Sequence, residues 1–292
     1  MESSFETPPS IATKVAMEGG VESASKDVDQ PLLSLRGISK NFGAVQALSE
    51  VDLDIPAGQV TALIGDNGAG KSTLIKAVSG ILSPSDGQMY WCGERVAIKT
   101  PREADALGIA TVYQDLALCD NLDIVANMFL GHETMRFRLL DENAMEAAAK
   151  VTLNSLAVTT VRSVRSLVVS LSGGQRQSVA VARAVMRDAK LVILDEPTAA
   201  LGVTQTAQVL SLIRRLADRG IAVLVISHNL NDVFTVADRL AVMHLGRMVH
   251  VGPISEFTPQ TAVEIITTGT FVGANANSTR NQPSNAGDHN DR

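Results

Sequence analysis

Residues 60–73 of this 292-residue chain are VTALIGDNGAGKST, a short apolar run followed by a glycine-rich turn. The run Val60–Ile64 predicts a strand buried on both faces, because strands covered by helices on each side lose their polar alternation. The sequence after the turn predicts a helix over 72–80. A strand, a glycine-rich loop and a helix in this order bind anions, because loop N–H groups and the helix dipole point at the same place.

The loop matches the pattern of a glycine, four free positions, and then Gly-Lys-Ser, which is typical of nucleotide phosphate binding. We expect the Lys71 ammonium to reach the β- and γ-phosphates and the Ser72 hydroxyl to ligate Mg²⁺. ATP and Mg²⁺ are therefore the expected cofactors. The residues predicted to bind the nucleotide in this loop are Gly65, Asp66, Asn67, Gly68, Ala69, Gly70, Lys71, Ser72 and Thr73.

A second apolar run, Leu191–Leu194, is followed directly by Asp195 and Glu196. Open α/β sheets place their ligands at the carboxyl ends of the strands. We expect Asp195 to hold Mg²⁺, directly or through water, and Glu196 to polarise the water that attacks the γ-phosphate. A solvated acidic pair at a strand end is the alternative, and the phosphate loop upstream favours the catalytic interpretation.

The run Leu171–Gln175, LSGGQ, begins a helix predicted over 175–187. Ser172 is a suitable cap, and the two glycines would expose backbone N–H groups, so this is a second predicted anion-binding helix start. The first loop already surrounds the phosphates on its own side. A second cradle is therefore most useful to the nucleotide of another molecule.

The phosphate loop, LSGGQ and the Asp-Glu strand, in this order and spacing, resemble the ATPases of ABC transporters over roughly residues 32–270. The resemblance implies an α/β fold with a RecA-like P-loop NTPase core, an antiparallel β subdomain and a helical lobe that carries LSGGQ. We expect the cassette over 32–272, with the helical lobe at about 116–188. The polar segments 1–31 and 273–292 are interpreted as disordered tails.

The resemblance also suggests roles for three residues that the local pattern alone does not explain. Phe42 occupies the position of an aromatic residue that stacks on adenine, where Tyr is commoner. Gln114 matches a loop residue that contacts Mg²⁺ and water and senses the membrane partner. His228 matches a switch histidine that contacts the γ-phosphate. The expected catalytic residues are Glu196, His228 and Gln114, and the expected metal ligands are Ser72, Gln114 and Asp195.

By the same resemblance, two copies of the chain close head to tail over two ATP molecules and so move a permease. The residues expected to bind the nucleotide of the second copy are Leu171, Ser172, Gly173, Gly174 and Gln175. One departure concerns the loop that usually reads Ser-Ala-Leu-Asp in the family. Here 199–202 is AALG, with Gly202 in place of the aspartate. Because that loop crosses the dimer interface, we expect the coupling between the two sites to be altered.

Three segments have sequences that resemble the branch of the family that serves monosaccharide importers: 65–71 (GDNGAGK), 113–118 (YQDLAL) and 196–202 (EPTAALG). Many members of that branch carry two cassettes, and this chain has one, as do the fructose-import subunits. The resemblance implies an ATP-binding and hydrolysing subunit for import of a fructose- or ribose-like sugar. Its expected partners are transmembrane permease subunits and a periplasmic or extracellular sugar-binding protein.

Composition limits the alternatives. A net charge of −6 and 3 % aromatic residues argue against a nucleic-acid partner. No apolar run approaches the roughly 20 residues that span a bilayer, and the first thirty residues do not resemble a signal peptide. We therefore expect a peripheral subunit at the cytoplasmic face of the cell membrane. A cassette for another solute or an exporter stays open, as does a soluble ABC ATPase that acts on ribosomes or DNA.

Overall fold

The computed structural model of the protein describes residues 30–271. Apart from residues 30 and 31, the two segments interpreted as disordered tails lie outside the described residues. The strands are β1 (Leu33–Phe42), β2 (Val45–Ile55), β3 (Val60–Ile64), β4 (Asp86–Trp91), β5 (Glu94–Val96), β6 (Ile109–Val112), β7 (Met135–Arg136), β8 (Leu139–Leu140), β9 (Leu191–Asp195), β10 (Ala222–Ile226), β11 (Arg239–His244) and β12 (Arg247–Pro253). The helices are α1 (Lys71–Val78), α2 (Pro101–Leu107), α3 (Ile124–Phe129), α4 (Glu142–Ser155), α5 (Gly173–Val185), α6 (Val203–Asp218), α7 (Leu230–Val236) and α8 (Pro259–Thr268).

The main sheet has six strands in the order β12-β11-β3-β10-β9-β6, all parallel except β12, which pairs antiparallel with β11. Its central strands are continuous apolar runs, as predicted, and alternate side chains face two different cores. Leu194 and Val225 pack into the core that α3 to α8 cover. Ile193 and Leu224 pack into the core formed with α1, α2 and the second sheet. Burial on both faces thus explains the loss of polar alternation.

The second sheet has four antiparallel strands in the order β2-β1-β4-β5. The sequence pattern did not locate these strands, although the family resemblance implied such a subdomain. The pairing of β1 with β2 changes register between Leu35 and Ile38 and twice more before Asn41. Bulges of this kind shift side chains between faces and so disrupt the alternation by which a half-buried strand is recognised.

The helices predicted over 72–80 and 175–187 are α1 and α5, whose ends lie within two residues of the predicted bounds. The longest of the described helices, α6, ends at Asp218, and Gly220 beyond its end has a φ of 85°. Within the expected helical lobe, residues 120–166 hold α3 and α4 but also the small hairpin of β7 and β8, which the sequence pattern did not predict. Within residues 30–271, no helix is both long enough and apolar enough to cross a membrane.

Gly87 provides a test of how tightly the antiparallel sheet is packed. It has a φ of 100°, and a Cβ placed there would lie 2.6 Å from the Gly37 carbonyl oxygen. Gly87→Ala should therefore lower the free energy of unfolding by about 2–4 kcal/mol, through backbone strain and a backbone clash together. Gly43→Ala is the matched control, because Gly43 is also left-handed (φ 59°) and a Cβ there meets nothing within 4 Å. Equal losses in urea unfolding of the two variants would contradict the steric explanation.

Candidate functional site

A cavity of about 290 Å³ lies where β3, β9 and β10 end. It is lined by residues of the glycine-rich loop together with Gln114, Asp195 and Glu196, so the fold brings three separately predicted segments together. Ala47 and Ile226 also line it. The sequence could not identify these two, because small or apolar side chains carry no sign of ligand chemistry. The loop residues in the lining are Asn67, Gly68, Ala69, Gly70, Lys71, Ser72 and Thr73.

The loop is pressed against strand β2, and this contact requires a glycine at the start of α1. Gly70 precedes the helix with a φ of 101°. A Cβ at this position would lie 2.8 Å from the Ala47 carbonyl oxygen and 3.0 Å from Leu48 Cδ2. A side chain would therefore push the loop away from the sheet that supports it, which explains one fixed glycine of the pattern.

The Lys71 side chain lies within the loop. Its Nζ donates hydrogen bonds to the carbonyl oxygens of Gly65 (2.6 Å) and Asp66 (3.0 Å). Burial lowers the pKa of Lys71, against the opposing effect of the negative charges of Glu196, Asp66 and Asp195. The ammonium is thus held by carbonyl dipoles at the point where phosphate oxygens would be stronger partners.

Asp195 is half-buried at the end of β9. Burial raises its pKa, as does the adjacent charge of Glu196, whereas Lys71 and Lys76 oppose the rise. A divalent cation would stabilise the ionised form of such a carboxylate. The hydroxyl of Ser72, the amide of Gln114 and the carboxylate of Asp195 all border the cavity, and oxygen donors are the ligands that Mg²⁺ prefers. The predicted residues therefore fit this metal.

Glu196 has an unusual backbone. Its φ of 50° lies in the left-handed region, which costs a residue other than glycine about 1–2 kcal/mol. Its N–H donates to the Ile226 carbonyl oxygen at the end of β10 (2.9 Å). Strain of this kind persists where the surrounding structure imposes it, and it often marks a functional residue.

His228 lies beside this carboxylate. Its Nδ1 is 2.8 Å from Glu196 Oε2, and the Glu196 side chain is 17 % exposed while that of His228 is 74 % exposed. His228 itself does not line the cavity. Two of the three predicted catalytic residues, Glu196 and His228, are therefore in direct contact. The third, Gln114, lines the same cavity as Glu196.

Phe42 and the LSGGQ segment lie elsewhere. Phe42 ends β1 with its ring half exposed, and the Lys40 Nζ is 5.4 Å from the ring centre. Neither Phe42 nor any residue of Leu171–Gln175 belongs to the lining of the cavity. The stacking role of Phe42 and the nucleotide contact of the LSGGQ segment stay predictions.

The LSGGQ segment forms a well-capped helix start, as predicted from Ser172. The Gln175 N–H donates to Ser172 Oγ, and the Ser172 N–H donates to Gln175 Oε1, so each residue caps the other. A Cβ on Gly174 would lie 3.0 Å from Gln205 Cβ on α6. The glycines thus allow α6 to pack closely, while Ser172 and Gly173 stay exposed.

Gly202, where the family usually has aspartate, is the N-cap residue of α6 and provides no side-chain acceptor. A Cβ there would meet nothing within 4 Å, so the space for an aspartate exists. Within the described chain, the substitution therefore removes a helix cap and not a packing contact. The next residue, Val203, is almost fully exposed.

Comparison with known proteins gives a consistent assignment. The family profile "ABC transporter" matches residues 48–199. The chain belongs to the ABC transporter family. It is 45 % identical to the fructose import ATP-binding protein of Rhizobium meliloti, over 82 % of this chain and 94 % of that protein. It is 44 % identical to the xylose/arabinose import ATP-binding protein of Sulfolobus acidocaldarius, over 81 % of this chain and 94 % of that protein.

Solved structures agree with the cassette fold. The ADP conformation of an ATP-binding cassette of an ABC transporter superposes with a TM-score of 0.69 at 27 % identity, covering 81 % of this chain and 95 % of that one. The predicted fold class and the resemblance to the sugar-import branch of ABC cassettes are confirmed. The predicted limits of the cassette, 32–272, and of its helical lobe stay predictions.

Removal of the Lys71 ammonium tests the phosphate loop of this ABC cassette. Charge-assisted hydrogen bonds contribute about 1.5–3 kcal/mol each, so Lys71→Ala should raise the Kd for ATP at least about tenfold in calorimetric titration. The control is Lys76→Ala, a change of an exposed lysine on the same helix that does not line the cavity. Unchanged ATP affinity in Lys71→Ala would exclude the assigned role of the loop.

Restoring the missing cap tests the explanation for Gly202. Gly202→Asp should raise the free energy of unfolding by about 0.3–1 kcal/mol, because the new carboxylate accepts from the free N–H groups of α6 and complements the helix dipole. Gly202→Ala adds the same Cβ without an acceptor and should not stabilise the chain. Urea midpoints that rank alanine above aspartate would show that position 202 does not act as a cap.

Proposed function

We propose that this chain is the ATP-binding and hydrolysing subunit of an ABC importer for a monosaccharide. One observation supports hydrolysis above all: a single cavity is bordered by the Lys71 ammonium, the oxygen donors of a metal site, and a carboxylate that contacts His228. The proposal that the transported solute is a monosaccharide is based on the relatives, whose names specify import of fructose and of xylose or arabinose. A fructose- or ribose-like sugar is the proposed cargo of the assembled transporter.

In the proposed reaction, Lys71 exchanges the carbonyl oxygens of Gly65 and Asp66 for the β- and γ-phosphate oxygens of ATP. Ser72, Gln114 and Asp195 would hold Mg²⁺, directly or through water, and the bound ion would supply neutralisation of the phosphate charge. Glu196 orients the attacking water and receives its proton as the water oxygen bonds to the γ-phosphorus, and the bond from that phosphorus to the bridging oxygen breaks, so that ADP and phosphate leave. His228 holds the Glu196 carboxylate through Nδ1 at 2.8 Å, and in its imidazolium form the ring would also donate from Nε2 to the γ-phosphate.

A second copy of the chain completes each site. The helix start at Ser172 and Gly173 is exposed, and the Ser172 N–H is bonded to Gln175 whereas the Gly173 N–H is left for a ligand, so this end of the helix can face the nucleotide of a partner copy. In the same arrangement, the half-exposed ring of Phe42 stacks on the adenine. Closing of the two copies over ATP is the step that performs work on the permease.

The permease is proposed to dock in a groove of about 550 Å³ between α1, α2, β6, the end of α3 and α5. Tyr113 lines this groove, and its sequence neighbour Gln114 lines the nucleotide cavity. The Tyr113 hydroxyl also donates to Ser79 Oγ (3.0 Å) at the end of α1, whose first residue is Lys71. A permease segment in the groove would therefore be connected to the phosphate loop at both Gln114 and α1.

A chain that works in this way acts peripherally at the cytoplasmic face of the membrane. The permease subunits provide the transmembrane path, and a sugar-binding protein on the other side delivers the monosaccharide to them. ATP binding and hydrolysis then take place in the nucleotide cavity, and the groove transmits the resulting movement to the permease.

The decisive experiment uses Glu196→Gln. This variant should bind Mg-ATP but hydrolyse it at least about a hundredfold more slowly, because the base is lost, and it should accumulate as an ATP-bound dimer in size-exclusion chromatography. The matched control is Glu256→Gln, which alters a Glu–His pair (3.3 Å) whose members do not line the cavity. Turnover at the wild-type rate in Glu196→Gln would remove this residue from its proposed role.

The partner is tested with the same variant, captured with Mg-ATP from detergent-solubilised membranes and analysed by mass spectrometry. A permease with several spans, together with a sugar-binding protein, is expected. Recovery of ribosomal or DNA-repair proteins without a permease would contradict the import function while leaving the ATPase chemistry intact.

A further inference from the structure

The hairpin of β7 and β8, residues 135–140, is named here the tip hairpin. Its turn consists of Phe137 and Arg138, which both have a positive φ (51° and 68°), as the tightest hairpin turns require. At its base, the Asp141 N–H donates to the Thr134 carbonyl oxygen (2.8 Å). The segment is therefore a defined projection of the chain and not an irregular loop.

The tip hairpin concentrates exposed apolar side chains. Phe137 is 88 % exposed and Leu139 is 73 % exposed, and Met135 and Leu140 are more than half exposed. Exposed apolar residues scattered singly need no explanation, but four within six consecutive positions form a patch. Such a patch indicates contact with a protein or with a membrane.

The free charge at this tip is positive. Among the described residues, neither Arg136 nor Arg138 has an ion-pair partner. The three acids at the base are engaged locally. Glu133 accepts from the Gly131 N–H, Asp141 caps α4, and Glu142 pairs with Arg165. The outer end of the hairpin thus presents two guanidinium groups between apolar side chains.

The size of the tip favours a lipid surface over a protein. Six residues on a narrow hairpin are far fewer than the roughly 20–30 residues that each partner contributes to a stable protein interface. A lipid headgroup layer needs no complementary shape, takes up apolar side chains at its boundary, and attracts arginine when it is anionic. Guanidinium groups on long stems can stay at the phosphates while the apolar residues beside them go deeper.

The position of the hairpin agrees with such a contact. Leu130, Gly131 and His132 line the groove proposed for the permease, and the hairpin begins three residues further along the chain. This placement rests on the proposed function, because only a permease in the groove would bring this side of the chain to the membrane. We propose that the tip hairpin binds the headgroup region of an anionic lipid bilayer.

Phe137→Trp in the full chain provides a direct probe. The wild-type chain has one tryptophan, Trp91, which is buried, so the difference between the emission of the variant and that of the wild type reports on the introduced indole at the tip. Vesicles of equimolar phosphatidylglycerol and phosphatidylcholine should shift its emission to the blue, and brominated lipid should quench it. Vesicles of phosphatidylcholine alone should do neither.

Adding Arg136→Gln and Arg138→Gln should weaken binding to the anionic vesicles about five- to thirtyfold, since each arginine contributes about 1 kcal/mol at such a surface.

Val263→Trp is the matched control, because Val263 is an exposed apolar residue on α8. It should show no blue shift. Absence of a shift for Phe137→Trp on anionic vesicles, or an equal shift for both variants, would overturn the proposal. The proposal would also be overturned if the chain did not bind vesicles and the change of both arginines abolished recovery of the permease in the capture experiment. The tip would then be a protein contact. The vesicle experiment uses neither nucleotide nor permease, so its failure would be distinct from failure of the ATPase assignment.

Discussion

Burial of the main sheet on both faces is the constraint on which the rest of the structure depends. Alternate residues of β9 and β10 pack into two separate cores, so a shift of one residue would exchange every buried side chain between them. Register is thereby fixed along β3, β10 and β9. Because these strands run parallel, the phosphate loop, the Asp195–Glu196 pair and the segment before His228 all emerge at one edge. Convergence of the site follows from the packing of the sheet.

Several features of the site at that edge are unfavourable in free energy, and a bound substrate would offset them. Burial opposes the charges of both Lys71 and Asp195, and Glu196 has a strained backbone. The two opposite charges partly stabilise each other across the cavity. A nucleotide with its metal ion would provide the remaining partners, anionic for the lysine and cationic for the carboxylates. Such a site gains more free energy on binding the nucleotide than a site whose polar groups all have partners within the protein.

Helix α1 and the dipeptide Tyr113–Gln114 both extend from the nucleotide cavity to the groove. The Tyr113–Ser79 hydrogen bond joins the two connections at the groove end. On the proposed function, movement in the groove would reach the phosphates through rigid elements and not through flexible loops. The tip hairpin begins three residues after the groove-lining His132, so the proposed lipid contact would be adjacent to the permease contact along the chain.

Much of this protein is determined by local sequence. The run Val60–Ile64 has the predicted bounds of its strand, Ser172 caps its helix, and Asp195 and Glu196 end theirs. These features depend on neighbours in the chain, through apolar periodicity and side chains that bond to nearby backbone. Only the tertiary structure decided the contact of His228 with Glu196, the bulged antiparallel sheet and the groove. Each of these depends on the order of strands in a sheet or on the packing of distant elements, and residue patterns along the chain do not encode that order.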